Sequence, residues 1–284
     1  MLLHRYFGSH AFETLKDAKL KTSRFSTFND PFEFLYVPIG KMTPQKARTY
    51  ITSKFNSNSP TFWTQARRRF PNARNDKELK SAVQKALPQM VVVLVNNFEN
   101  IKREWFANRE RVADKNVRVV CFCNADKVRS LDEILIWSHY ARKHEGVRIG
   151  FDFPEGITQP FDVVEVKYQA KRVTIDLSLG MDGEVAQNAI NESAKVKSEA
   201  WVYEQEYRLF THREKCEART LKDSSVEHFL SFNRAWVTAV DFGVRCPLDE
   251  IQRIVDLLKT DYPNVIPRRA EFHKTEYALE YKAI

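Results

Sequence analysis

The chain has 284 residues, with 45 Lys and Arg against 37 Asp and Glu, a formal net charge of +8 and a pI near 9.2. A hydrophobic content of 43% with 20 Phe allows a sizeable core, while the basic excess favours anionic partners such as nucleic acid, a nucleotide or phosphate. The longest apolar run, Met90 to Val95, is far too short to span a membrane, and four scattered Cys make neither a disulfide framework nor a zinc pattern. Met1 to Phe7 lacks the apolar stretch of a signal peptide, so a reduced, cytoplasmic protein is the expectation.

In chain order, Leu2 to Phe7 is predicted as a strand with His4 and Tyr6 on one face and Leu3, Arg5 and Phe7 on the other. Ser9 opens a short helix to about Ala18, and Leu20 to Arg24 is a second strand. Then comes FSTFNDPFEF, Phe25 to Phe34. Its Asn29-Asp30-Pro31 is a turn signal, and Phe25, Phe28, Phe32 and Phe34 would pin the turn into the core. Such a loop is either a structural anchor or a rigid presenter of Ser26, Asn29, Asp30 and Glu33 to a ligand. From about 43 to 116 the pattern is helical, with Pro44 opening one helix and Pro88 kinking or interrupting the last. Met90 to Val95 should be buried. Arg67–Arg69 and Arg74 read as a solvated helix face or as phosphate contacts.

Val117 to Asn124 is a buried strand. Leu131 to Lys143 is a helix capped by Ser130, and Val147 to Phe153 is the next strand. His139 by itself reads as a core histidine, but beside Trp137, Ser138 and Tyr140 it belongs to a run of polar-tipped rings that need partners when buried. Phe161 to Tyr168 reads as a strand, about Glu184 to Glu199 as an amphipathic helix and Thr211 to Asp223 as a loop. A strand at Trp236 to Val244, a helix after Pro247 and strands at Arg269–Lys274 and Tyr277–Tyr281 close the sheet. WVYEQEYRLF, Trp201 to Phe210, reads as one strand that puts Val202, Glu204, Glu206, Arg208 and Phe210 on a single face. That face is either solvated or the floor of a polar site. The expected architecture is a single α+β domain, 1–284, with a mixed, mostly antiparallel sheet and a helical insertion at about 43–116 capping the core.

The segments FSTFNDPFE, IWSHY, HEGVRIGFDF and WVYEQEYR occur in this order. They resemble the motifs of a bacterial domain-of-unknown-function family, number 2971, with Ile136 in place of the usual Met. Membership fixes no reaction. A second resemblance, to ADP-ribosyltransferases that act on nucleic acid, rests on the order of a first strand bearing His4 or Arg5, a short helix, and a late strand with an E-x-E element at Glu204–Glu206. The resemblance implies a split-sheet fold and NAD as substrate, with no metal required.

On this second resemblance, Glu206 would stabilise the oxocarbenium-like cation left when nicotinamide departs, and Glu204 would deprotonate or orient the acceptor. Arg208 would neutralise a diphosphate or pair with Glu206. His4, Arg5, Tyr6, Ser26, Asn29 and Asp30 would bind NAD, and Trp137, His139 and Tyr140 would wall the pocket. Such an enzyme would be a toxin or phage-defence effector modifying nucleic acid or protein, with a cognate antitoxin or phage protein as partner and no membrane. The alternatives are a noncatalytic module that binds nucleic acid or a phage component, and a metal-independent nuclease using His139 with Glu206.

Overall fold

The protein is described by a computed structural model covering residues 1–57, 59–154, 162–179, 188, 191–221 and 223–284. The strands are β1 Leu2–Phe7, β2 Lys19–Lys21, β3 Val37–Ile39, β4 Val117–Asn124, β5 Val147–Asp152, β6 Asp162–Glu165, β7 Lys167–Gln169, β8 Thr174–Asp176, β9 Val196–Ser198, β10 Glu206–His212, β11 Glu217–Thr220, β12 Val226–Ser231, β13 Val237–Phe242, β14 Pro267–Phe272 and β15 Leu279–Ala283. The helices are α1 Ala11–Asp17, α2 Pro44–Asn56, α3 Pro60–Arg69, α4 Asp76–Asn116, α5 Ser130–Tyr140 and α6 Leu248–Asp261. Among the described residues no helix is long and apolar enough to cross a membrane.

Contacts divide the chain into two compact units. One holds Met1–Phe34, Val112–Lys171 and Ala194–Ile284; the other holds Leu35–Arg111 and Arg172–Ser193. The first is built on an eight-stranded sheet in the order β15-β14-β13-β5-β1-β4-β10-β6, antiparallel at every pair except β13 with β14, which α6 joins by a crossover. The fold class is therefore α+β with a mixed, mostly antiparallel sheet.

The two faces of this sheet differ in chemistry. Leu3, Phe7, Val120, Phe122, Ile149, Phe151, Leu209, Val240 and Phe242 form the core with α1 and α6. The opposite face is polar. Tyr6 pairs with Arg148, Arg148 with Asp241 and Asp241 with Arg268, while His4 pairs with Cys123 and Cys123 with Glu206. Helix α5 lies on this side, where Trp137 packs edge-on against Tyr6 with ring centroids 5.2 Å apart.

The second unit holds α2, α3, most of α4 and the parallel pair β3–β8. Thr43 and Ser59 cap α2 and α3 by accepting from Lys46 N–H and Phe62 N–H. Helix α4 runs on through Pro88.

Several expectations are corrected. Trp201–Phe210 is not one strand: Glu199–Glu204 is a 3-10 helix capped by Ser198, Gln205 turns left-handed at φ 45°, and the strand starts at Glu206. Pairing with β4 begins only there, opposite Cys123, so residues before it follow a three-residue period instead of two. Thr211–Asp223 is not a loop, since β10 continues to His212 and β11 pairs with β12 as a charged hairpin. Of the helix expected at about 184–199, residues 184–187, 189 and 190 lie outside the described residues, 188 and 191–193 are helical as expected, and 196–198 instead form β9 beside β7.

Met90–Val95 is not buried throughout. Val91 is, but Val92 and Val93 are 49% and 37% exposed. Phe32 is 62% exposed, and only Phe25, Phe28 and Phe34 cluster. Helix α5 stops at Tyr140, because Arg142, Lys143 and His144 take successive left-handed conformations at φ 46°, 56° and 72° before β5 begins.

Candidate functional site

A cavity of about 270 Å³ opens on the polar face, wholly within the first unit. Strand β1 brings His4, Arg5 and Tyr6 to it, and β4 brings Cys121 and Cys123. The 25–34 loop brings Phe28, Asn29, Asp30 and Glu33. This loop holds its shape through an Asx turn, with Phe32 N–H donating to Asp30 Oδ1 at 2.9 Å and Glu33 N–H to Asp30 O at 3.2 Å. The remaining walls are Tyr140 from the end of α5, Lys197 from β9, Trp201 and Glu204 from the 3-10 turn, and Glu206 from the start of β10.

The floor of the cavity is a buried ionic cage. Lys197 Nζ lies 2.6 Å from Glu204 Oε2, 2.9 Å from Glu206 Oε2 and 3.2 Å from Glu33 Oε1. Arg208 is fully buried behind it. It donates from Nε to Glu206 Oε1 at 2.7 Å, from Nη2 to Glu206 Oε2 at 3.1 Å and to Glu33 Oε2, and from Nη1 to Ala194 O at 2.9 Å. Tyr140 O–H donates to Glu204 Oε1 at 2.5 Å, and the Glu206 N–H donates to Tyr168 Oη at 2.7 Å. Phe28 lies against the Arg208 guanidinium and Trp201 against the Lys197 ammonium, at 5.2 and 5.0 Å.

Three carboxylates face two cations here, and their environments separate them. Burial alone would raise Glu206, but Arg208 and Lys197 outweigh it and hold the carboxyl down at about 2. For Glu204 and Glu33 burial wins, and both carboxyls are raised. Burial lowers Lys197 too, but its carboxylate neighbours outweigh that and keep the ammonium charged. Burial, with Arg148 adding to it, lowers His4 to about 3, so it presents a neutral imidazole. Burial pushes the Cys121 and Cys123 thiols well up, with Glu206 and Glu204 adding to the rise, so neither is a thiolate nucleophile. No group of three or more metal-ligating side chains stands ready for an ion among the described residues.

The structure thus gathers His4, Arg5, Tyr6, Asn29, Asp30, Tyr140, Glu204 and Glu206 around one cavity, with Arg208 directly behind Glu206. Three other candidates are outside its lining. Ser26 donates its backbone N–H to Asp114 Oδ1 at 2.8 Å. Trp137 is fully buried and donates from Nε1 to Tyr281 Oη at 2.9 Å. His139 pairs through Nδ1 with Tyr203 Oη at 3.0 Å. Lys197 was not anticipated from the sequence, because its segment reads as part of an amphipathic helix. Its only local signal is its place seven residues before Glu204.

Beside the cage, the same sheet face carries a second, charge-balanced network. Asp241 accepts from Arg148 Nε at 2.9 Å and from Arg268 Nε at 2.6 Å. Arg148 also reaches Glu133, which accepts from Tyr281 O–H at 2.8 Å. Every charge there has its opposite, and the network ties α5, through Glu133, to β5 and to the edge strand β15 of the sheet.

Comparison with curated proteins gives no match, and comparison with solved structures gives none either. One family does match, over residues 136–209, a stretch that contains three of the four motifs named above. Residues 136–209 match the family described as "Protein of unknown function (DUF2971)", the one the motifs resemble.

Proposed function

We propose that the cavity is an active site for substitution at the glycosidic carbon of a ribose attached to a cationic ring, with NAD as the donor, in the manner of an ADP-ribosyltransferase. The observation that carries this reading is the charge imbalance of the cage. Among the described residues, Glu33, Glu204 and Glu206 face only the cations Lys197 and Arg208, beneath walls that include Phe28, Tyr140 and Trp201. A buried floor one positive charge short favours a flat cation, such as the nicotinamide ring of NAD, and favours the oxocarbenium-like ribose that forms as the ring leaves. At about 270 Å³ the cavity has room for one ring and its sugar and not for a whole dinucleotide.

In this reaction the bond from ribose C1 to the ring nitrogen breaks, and its electron pair neutralises the ring. The acceptor's oxygen or nitrogen then forms the new bond to C1 and gives up a proton. Glu206, held ionised, retains a lone pair on Oε1 beyond its bond to Arg208 and accepts a ribose hydroxyl. Glu204, whose raised pKa makes it the stronger base of the pair, takes the acceptor's proton. Neutral His4 and the Asn29 and Asp30 side chains position the ligand. His139 lies outside the cavity lining and leaves the nuclease reading without its base beside Glu206.

The test is nicotinamide release from NAD by the full chain, beside Glu206→Gln and Glu204→Gln. Wild-type release reduced by roughly a hundredfold or more in either variant is expected. No release by the wild type, or equal release by all three proteins, overturns the catalytic reading. NAD binding without release would leave a noncatalytic ligand-binding domain, consistent with the fact that every carboxylate of the cage already has a partner.

A further inference from the structure

The basic charge of this chain is concentrated in its helical segment. From Leu35 to Arg111 there are 15 Lys and Arg against 5 Asp and Glu, a net +10, although the whole chain is only +8; the remainder is therefore slightly acidic. Within this unit a cavity of about 430 Å³ opens between α3 and α4, lined by Phe62, Arg68, Arg69, Phe70, Val83 and Met90 among others. Ala66 and Val83 of its lining belong to a small core that they share with Leu79. Arg67 is turned to Asp76, but Arg68 and Arg69 are exposed and have no carboxylate partner among the described residues. Basic residues in a last turn also suit the helix dipole, which accounts for their charge but not for an open apolar cavity beside them.

We propose that this cavity docks single-stranded nucleic acid, with a base entering between Phe62 and Phe70 and the Arg68 and Arg69 guanidinia on the flanking phosphates. Single strands are held by this combination of a positive surface and aromatic platforms that take any base. A second copy of the same unit is disfavoured as occupant, because the Leu35–Arg111 segments, each of net +10, repel. A duplex keeps its bases stacked and has none to offer the cavity.

The test uses the full chain without NAD, so its outcome is independent of the pocket in the first unit. Binding of a fluorescein-labelled single strand of about 16 nucleotides is followed by anisotropy between about 50 and 200 mM salt. Arg68→Glu/Arg69→Glu is expected to weaken binding at least roughly tenfold and to lower the slope of log affinity against log salt by about 0.7 for each phosphate that is no longer neutralised. Phe62→Leu/Phe70→Leu, which keeps both side chains apolar and removes their aromatic faces, should weaken single-strand binding while leaving duplex binding unchanged. Lys171→Glu/Lys274→Glu, an equal charge change at exposed positions in the other unit, should have little effect. Three results would overturn the proposal: no binding near 50 mM salt, equal weakening by the control pair, or equal competition by polyglutamate, which would show a surface that takes any polyanion or an acidic protein.

Discussion

Glu204 and Glu206 stand two residues apart and touch the same ammonium, yet they titrate in opposite directions. The difference is Arg208, which grips both oxygens of Glu206 and neither of Glu204. Because the folded-state pKa of Glu206 is about 2, below its ordinary 4.5, its contribution to stability is complete above pH 4.5 and is lost as pH falls towards 2. Over that window the loss is on the order of 3 kcal/mol. Glu206→Gln is expected to be less stable than wild type near neutrality but to lose less on acidification. Urea unfolding at about pH 5 and about pH 3 measures this, and an unchanged acid loss in the variant would assign it to another group. Glu204 and Glu33 act with the opposite sign: their raised pKa values favour the folded state at low pH, and that benefit fades as pH rises through them.

At the level of elements, the sequence was most legible where one period held. The β1, β4 and β5 strands, the helical stretch of α2–α4 and the Asp30 turn follow from alternation, an apolar run, helix-start prolines or turn chemistry, and lie within a few residues of the expected bounds. Legibility failed where the period changed within a motif. WVYEQEYRLF is a 3-10 turn joined to a strand, so Glu204 and Glu206 meet at Lys197 because Gln205 reverses the chain, and not because they alternate along one strand. Lys197 itself lies on a three-residue strand that pairs with β7, a contact that no local pattern announces.

The α5–β5 corner shows how closely these elements approach. A Cβ on Gly146 would lie 2.0 Å from Phe7 O and 3.0 Å from Ala141 Cα, against backbone that cannot swing aside. At Gly8 the obstruction at 2.8 Å is Arg142 Cγ, part of a flexible side chain. Gly146→Ala is therefore expected to cost about 2–4 kcal/mol and Gly8→Ala clearly less, as read from denaturant midpoints. Equal costs would mean that the corner relaxes freely.

For the molecule as a whole, charge is separated along the chain. A buried cage and a balanced network lie on one sheet face of the first unit, and the surplus of cations lies in the helical segment. Nothing in the overall composition reveals this, because +8 spread over 284 residues reads as an ordinary basic excess. Self-repulsion within a net +10 segment destabilises it, and added salt screens exposed charges far more than buried ones. Raising NaCl from about 0.05 to 0.5 M should therefore raise the melting midpoint followed by far-UV helical ellipticity. A fall would mean that the helical segment depends more on its few ion pairs, such as Arg67–Asp76 and Lys102–Glu99, than it suffers from like charge.

The shortage of one cation beneath the pocket has a thermodynamic corollary. A carboxyl whose hold on its proton burial has strengthened gives that proton up more readily when a positively charged guest lies against it, so guest uptake and proton release become linked. Affinity would then strengthen as the solution becomes more alkaline, even over a range in which the fold itself does not change.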